Sequence, residues 1–198
     1  IKKLGPAGFV FEKYVREILI NYGFNVEIAQ IVSGRCVNHE VDFLAIKEGN
    51  IYVGECKYRN NQGDKVDLNV CLKGFAILED VKATGRFKGY DTANFLVVTN
   101  SKFTNQAIKY SNCQGIKLIG WRYPEDQGLE YMIDKKKLYP ITILPSLKGY
   151  LVSVFCKEGF MLAEDVLNID IEKFSKKGNI PKSQINNLIS EAKALLGY

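Results

Sequence analysis

The sequence predicts an α/β fold with a mixed β-sheet flanked by helices over residues 1–124, followed by a small all-α region over 125–198. Two patterns predict the sheet. Residues 39–46 and 51–58 are apolar-rich runs separated by Lys47-Glu48-Gly49-Asn50, which reads as a hairpin. Residues 94–99, 104–113 and 116–120 read as strand, helix and strand, so two parallel strands are joined by a right-handed crossover. A third pattern, apolar residues at helical spacing after residue 145, predicts the all-α tail.

Residues 7–22 open the chain as an amphipathic helix. Phe11, Tyr14, Val15, Ile18, Leu19 and Tyr22 recur at i, i+3, i+4 spacing, and Gly23 stops the run. Glu12 lies about 100° from Phe11 around the helix, beside Leu19, at the border of the apolar stripe. It is either a boundary side chain reaching for water or a carboxylate aimed at a site. A strand over 24–32 and a turn at Ser33-Gly34-Arg35 lead to the hairpin.

Pairing Ile46 with Ile51 carries Asp42 directly opposite Glu55, and period two puts Lys57 on the face of Glu55. Two carboxylates opposite each other repel. The flanking Val41, Phe43, Val53 and Cys56 argue that they are at least half buried. Either Lys57 and solvent neutralise them, or they hold a hard divalent cation such as Mg²⁺, which takes one or two carboxylates and keeps positions for water and phosphate. Water activated there beside a lysine is equipped to attack phosphorus. Glu40 shares the face of Asp42. His39 is the only histidine, which leaves no material for a histidine-based nuclease motif or a catalytic triad.

After Lys57 the chain is polar to Lys65, and Tyr58 and Arg59 are candidates to meet a phosphate backbone. Asp67 is placed to cap a helix running to about Thr84, with Leu68, Leu72, Phe75 and Leu78 on one side. Lys65, Lys73, Lys82 and Lys102 are candidate DNA contacts or merely solvated. Asn100-Ser101-Lys102 turns at a strand's carboxyl end, where α/β sites often form. Thr104 is the expected N-cap of the crossover helix. Residues 123–129, with Pro124, Asp126 and Gly128, read as a linker. Pro145 fits the first position of a helix to Lys157, Gly159 ends it, residues 162–168 follow, and Pro181 opens the last helix. The helix–glycine–helix step at Gly159 is similar to helix-hairpin-helix modules, for which the alternative is packing or dimerisation.

The pattern Glu12…Asp42…Glu55-x-Lys57, with GFVFEKYVREIL, HEVDFLAI, VGECKYR and LVVTNSKFTNQAIKYSNCQGIKLIGW in that order, resembles the PD-(D/E)XK nuclease superfamily. Within it the chain is similar to Mrr-like type IV restriction endonucleases over residues 5–124. Val41 stands where the motif name has Pro. The resemblance implies a restriction-endonuclease-like core and a Mg²⁺-dependent DNA endonuclease, with Mn²⁺ as a substitute ion. It implies that Asp42, Glu55 and the backbone carbonyl of Cys56 bind the ion. Lys57 would orient or deprotonate the attacking water, and Glu12 would place a water or a second ion. Hydrolysis would leave a 5′-phosphate. Family members often carry an upstream ATP-cone domain. No phosphate-binding glycine loop occurs here, so no ATP site is expected in these residues.

Charge and composition fit that reading. Residues 1–124 hold 17 Lys/Arg against 12 Asp/Glu, whereas 125–198 are balanced, so the excess lies on the half that would meet a polyanion. The five scattered cysteines contain no CxxC, which suits reduced thiols in a cytoplasmic protein. No apolar run approaches the ~20 residues that span a membrane. The chain begins at Ile1 rather than Met, which leaves an upstream segment open. One cluster per chain makes a homodimer the expected agent of a double-strand cut. The alternatives are a catalytically silent DNA-binding module and a structure-specific nuclease such as a junction resolvase. Asp42→Ala and Lys57→Ala are expected to abolish cleavage and leave folding intact.

Overall fold

A computed structural model describes residues 8–61, 63–147 and 149–198. Ala7, at the expected start of the first helix, Gln62 in the loop after the hairpin, and Lys148 lie outside the described residues. The chain divides into two compact units, one of residues 11–132 and one of 133–198 with the start of the first helix.

The first unit is built on a five-stranded sheet. Helix α1 (Gly8–Asn21) buries Phe11, Tyr14, Val15, Ile18 and Leu19, the stripe that the spacing predicts. It ends at Gly23, whose φ of 85° is open to glycine at no steric cost. Strands β1 (Asn25–Ser33), β2 (Asn38–Lys47) and β3 (Asn50–Lys57) form an antiparallel meander. The β2–β3 turn is a two-residue loop, with Glu48 and Gly49 both at positive φ (48° and 75°). That is the primed turn whose twist matches the flanking strands. The ladder pairs Ile46 with Ile51 in the expected register.

After β3 come the short β4 (Lys65–Val66), α2 (Leu68–Lys82), β5 (Thr92–Thr99), the short β6 (Lys102–Phe103), α3 (Asn105–Gln114) and β7 (Lys117–Ile119). Strand order is β1-β2-β3-β5-β7, antiparallel on the β1 side and parallel from β3 onward. This is the mixed sheet that the hairpin and crossover predict. Asp67 caps α2 by accepting the Asn69 N–H, Thr104 caps α3 by accepting the Ala107 N–H, and Gly115 closes α3 in the left-handed region.

Packing departs from expectation on α2. Its buried side is Cys71, Gly74, Ile77, Leu78 and Val81, while Leu72 is exposed. Gly74 decides this: a Cβ there would stand 2.3 Å from the Phe95 ring, so the helix approaches β5 by its glycine and turns Leu72 outward. Residues 123–129 are not an open linker. Gly120 and Tyr123 form a bridge, the Leu129 N–H donates to the Gly120 carbonyl, and Trp121 and Arg122 both donate to the Glu130 carboxylate. A helix α4 (Leu129–Lys136) follows at once.

The second unit is helical: a 3₁₀ turn (Ile141–Ile143), α5 (Tyr150–Lys157), a second 3₁₀ turn (Ala163–Asn168), α6 (Ile171–Gly178) and α7 (Lys182–Leu196). Its core holds Leu144, Leu151, Phe155, Phe174, Ile185 and Leu188. Two expectations fail here. The helix begins at Tyr150 rather than Pro145, because Gly149 sits at φ 57° and ψ −129°, outside helical space. Among the described residues, Gly159 leads into an extended segment and a 3₁₀ turn in place of the expected helix–glycine–helix step. The Gly159 and Phe160 N–H groups donate to the Cys156 and Phe155 carbonyls, capping α5 instead of facing a phosphate. The separate helix α6, capped by Asp170, is an element that the sequence reading left inside a general helical tail.

Candidate active site

Strand alternation assembles the site. Leu44, Ile46, Ile51, Val53, Phe95 and Val97 share one core on the α2 side of the sheet. Glu55 and Lys57 continue that face of β3 beyond Val53. Glu55 is 5% exposed, a buried carboxylate at the end of a hydrophobic row. Its Oε1 meets two ammonium groups: Lys57 Nζ in close contact and Lys73 Nζ, from α2, at 3.9 Å.

Asp42 is not a ladder partner of Glu55. The β2–β3 pairing stops at Phe43–Gly54. There the Asp42 side chain takes over from the backbone, and its Oδ2 accepts the Cys56 N–H at 2.6 Å. The β1–β2 ladder also skips a rung at this level. Ile28 pairs with Phe43 and Gln30 with Val41, while Ala29, between them, lies at φ 53°. Val41 and Leu44 both enter the α2-side core although three residues separate them, so the alternation of β2 breaks at Asp42. The distortion thus coincides with Asp42, whose side chain takes the Cys56 N–H.

Electrostatics confirm the crowding. Burial raises the Asp42 carboxyl above its ordinary range; the Cys56 N–H opposes this and the neighbouring Glu55 charge adds to it. Burial also raises Glu12, reinforced by Asp42 and Glu55 and opposed by Lys57. Glu12 therefore shares one electrostatic neighbourhood with the other three charged residues. Burial pushes the Cys56 thiol well up, and the three carboxylates push it further. That sulfur is no nucleophile.

Among the described residues, no three His, Cys, Asp or Glu side chains converge as a ready metal cage. Glu12 lies near enough for the Asp42, Glu55 and Lys57 charges to act on its carboxyl. The candidate donors are two carboxylates, Asp42 and Glu55, and the adjoining Cys56 carbonyl. All are hard oxygen donors, and their mutual repulsion is relieved by a cation. This fits Mg²⁺, which takes few protein ligands and keeps its waters. Glu40 is exposed and pairs with Ile31, away from the carboxylates.

The residues proposed for DNA stand in different settings. Lys73 reaches the carboxylates. Half-buried Tyr58 packs its ring 5.5 Å from that of Phe11. Arg59 is fixed by its backbone: its N–H donates to Asn100 Oδ1 at 2.7 Å, and the Asn100 amide donates back to the Arg59 carbonyl at 2.8 Å. The sequence suggested Asn100 only as a possible DNA contact. It serves instead as a side-chain peptide mimic that pins the segment after Lys57, with Thr99 Oγ1 donating to the Lys57 carbonyl. No local signal distinguishes that role, because the partners lie some forty residues apart. Lys65 and Lys102 come together on β4 and β6. Lys82 pairs with Glu79.

Residues 7–122 match the restriction endonuclease family defined by the Mrr catalytic domain. The chain belongs to this family. Residues 139–196 match a separate family, the AF1548-like C-terminal region. An uncharacterized protein of Archaeoglobus fulgidus is 34% identical over 180 residues, covering 91% of this chain and 98% of that one. The crystal structure of AF1548, a protein of unknown function, superposes with a TM-score of 0.78 at 31% identity over 96% of this chain and 99% of that one. The Mrr-family match spans the sheet and all four charged residues of the cluster. No helix among the described residues is long and apolar enough to cross a membrane.

Proposed function

We propose that this chain is a Mg²⁺-dependent DNA endonuclease of restriction type. The observation that carries the reading is the pair of carboxylates at the end of β3, with Asp42 fixed by the Cys56 N–H and Glu55 buried against Lys57. Burying like charges together is destabilising unless a cation and a reaction make use of it.

Asp42, Glu55 and the Cys56 carbonyl would hold the ion, which supplies charge neutralisation at the phosphate and acidifies water. The chain's own groups do the rest. Lys57 places an ammonium where negative charge grows on the non-bridging phosphate oxygens. Glu12, more basic than an ordinary glutamate, positions the attacking water and accepts its proton. Water adds to phosphorus as Glu12 takes its proton, the P–O3′ bond breaks, a solvent water protonates the departing 3′-oxygen, and the products are a 5′-phosphate and a 3′-hydroxyl. Tyr58, Arg59, Lys65, Lys73 and Lys102 line the approach as backbone contacts. A double-strand cut takes two chains, since each offers one such cluster among the described residues; sedimentation with and without duplex checks this. Five cysteines without a disulfide suit a cytoplasmic setting.

The test is nicking of plasmid DNA at low salt with Mg²⁺, Mn²⁺ or chelator, wild type beside Lys57→Ala. Metal-dependent nicking by the wild type that falls about 10²–10³-fold in the variant supports the assignment. DNA binding by both proteins with no cutting of linear, methylated or four-way-junction substrates would instead identify a silent binding module.

A further inference from the structure

The β4–β6 ladder has no counterpart in the hairpin and crossover pattern, and its composition is unusual. It is two residues long on each strand, parallel, and pairs Lys65 with Lys102 and Val66 with Phe103. Val66 and Phe103 are buried in the α2-side core at 0% and 5% exposure. Lys65 and Lys102 point to the exposed side. Strands in a sheet lie about 4.8 Å apart, so two ammonium-bearing stems leave the surface side by side. Like charges so placed repel.

Among the described residues no carboxylate pairs with them. Neither lysine side chain forms an ion pair or hydrogen bond among the described residues. Asp64 and Asp67 flank Lys65 in sequence, but Asp67 caps α2 and neither carboxylate pairs with these lysines. The ladder is nonetheless held firmly. The Thr104 N–H donates to the Val66 carbonyl at 2.9 Å, Ser101 Oγ donates to the Asp64 carbonyl, and the Trp121 N–H donates to the Ser101 carbonyl at 2.8 Å. Repulsion is thus built into a rigid element, which is the arrangement expected where an anion is the missing partner.

Its distance along the chain from the carboxylates is bounded. Lys57 is the β-partner of Thr99, and Lys102 follows Thr99 by three residues, at most roughly 10 Å of extended chain. One DNA strand presents a phosphate about every 3.4 Å of helix axis, so a duplex whose scissile phosphate lies at Lys57 carries neighbouring phosphates past the ladder.

We propose that Lys65 and Lys102 form a phosphate clamp that sets the register of the DNA backbone on the reacting phosphate. This rests on the reading of the chain as a DNA phosphodiesterase and adds the element that positions its substrate. The two lysines are positioning residues: they act on ground state and transition state alike, so they govern binding and KM and leave kcat in place. Preorganisation by Val66 and Phe103 lowers the ordering cost that two free lysines would incur.

The experiment is fluorescence anisotropy of a short labelled duplex across a salt series, in chelator so that nothing is cut, with plasmid cleavage run in parallel. The proteins are wild type, Lys65→Gln, Lys102→Gln, the double Gln variant, the double Arg variant, and Lys88→Gln as an exposed-lysine control. The slope of log K against log salt is expected to fall by about one for each single variant and by about two for the double. The double Arg variant should keep the wild-type slope, and the control should lose little. Cleavage by the double Gln variant should show raised KM with kcat retained. A wild-type slope in the double variant, a loss confined to kcat, or no duplex binding by the wild type would each overturn the clamp. Wild-type binding without cutting under any metal condition would sink the nuclease reading and leave the clamp standing if the slopes fall as stated.

Discussion

The Asp42 carboxylate accepts the Cys56 N–H at 2.6 Å, so its side chain takes the place of a backbone acceptor where the β2–β3 ladder ends. This hydrogen bond adds a stability cost to the expectation that Asp42→Ala leaves folding intact. Alanine strands the N–H of a residue that is 6% exposed, a loss of about 1–3 kcal/mol. Asparagine keeps an acceptor oxygen and removes only the charge. Both variants should lose cleavage, but only Asp42→Ala should lower the thermal midpoint, since 1 kcal/mol moves it about 2–4 °C at this size. Equal midpoints for the two variants would show that the hydrogen bond carries no stability.

The raised carboxyls of Asp42 and Glu12 make a second prediction, about pH. A folded-state pKa above the unfolded one means that the folded protein binds the proton more tightly. Stability therefore falls as pH climbs from below the ordinary carboxyl values (3.8 and 4.5) through the raised ones, then levels off. Asp42→Asn removes that penalty, so it should melt above wild type at pH 7 and level with it near pH 3. Added Mg²⁺ should stabilise wild type and not the variant, by about 2.7 kcal/mol at 100 times its Kd. Thermal melts over pH, with and without Mg²⁺, read all of this; a variant that melts below wild type at pH 7 contradicts it.

Much of this arrangement is legible in the sequence, and what is not has a common cause. The α1 stripe, the Ile46–Ile51 register, the caps at Asp67 and Thr104 and the β5–α3–β7 crossover all depend on neighbours within a few residues. So does the placement of Glu55 and Lys57 on one face. The failures are non-local. Gly74 shifts the buried face of α2 away from Leu72 because the Phe95 ring occupies its Cβ position from another element. The β4–β6 ladder joins residues thirty-seven apart in runs too short to carry a period. Asp42 leaves the ladder because Ala29, on a different strand, adopts a left-handed conformation that no composition signals. In the tail, Pro145 promised a helix start that the backbone at Gly149 postpones.

Gly54 carries the third prediction. A Cβ there would lie 2.1 Å from the Phe43 ring, which is 1% exposed and has no room to retreat. Phe43 and Gly54 are also the last rung before Asp42 and Glu55. Gly54→Ala should therefore cost about 1–3 kcal/mol by overpacking and displace both carboxylates together. Pairing it with Phe43→Leu should recover part of the stability, as the shorter side chain makes space. Denaturant unfolding of the two singles and the double gives the coupling energy. Simple additivity would mean that the ring and the glycine do not oppose each other.

Asp80 ties the β1–β2 loop to α2, and its removal is the fourth prediction. Its carboxylate accepts the Cys36 N–H at 2.9 Å and the Val37 N–H at 3.4 Å, and the His39 ring Nε2 stands 2.8 Å from Oδ2. The Arg35 N–H donates to the Asp80 carbonyl, and a Cβ at Gly34 would lie 1.9 Å from Oδ2. The hydrogen bond from His39, then those from Cys36 and Val37, hold the Asp80 carboxyl far below its ordinary 3.8. A depressed carboxyl adds stability that is fully present above its unfolded pKa and is lost as pH falls toward the folded one. Asp80→Asn should thus melt below wild type at pH 7, and the gap should narrow steadily below pH 4. Gly34→Ala should reproduce the deficit at pH 7 by driving Oδ2 off the loop. His39→Ala should reproduce only part of it, since the two backbone donors remain. Melting curves of the three variants between pH 2 and 8 decide the matter: a gap for Asp80→Asn that stays constant across that range would show that the carboxylate's charge is not what holds the loop.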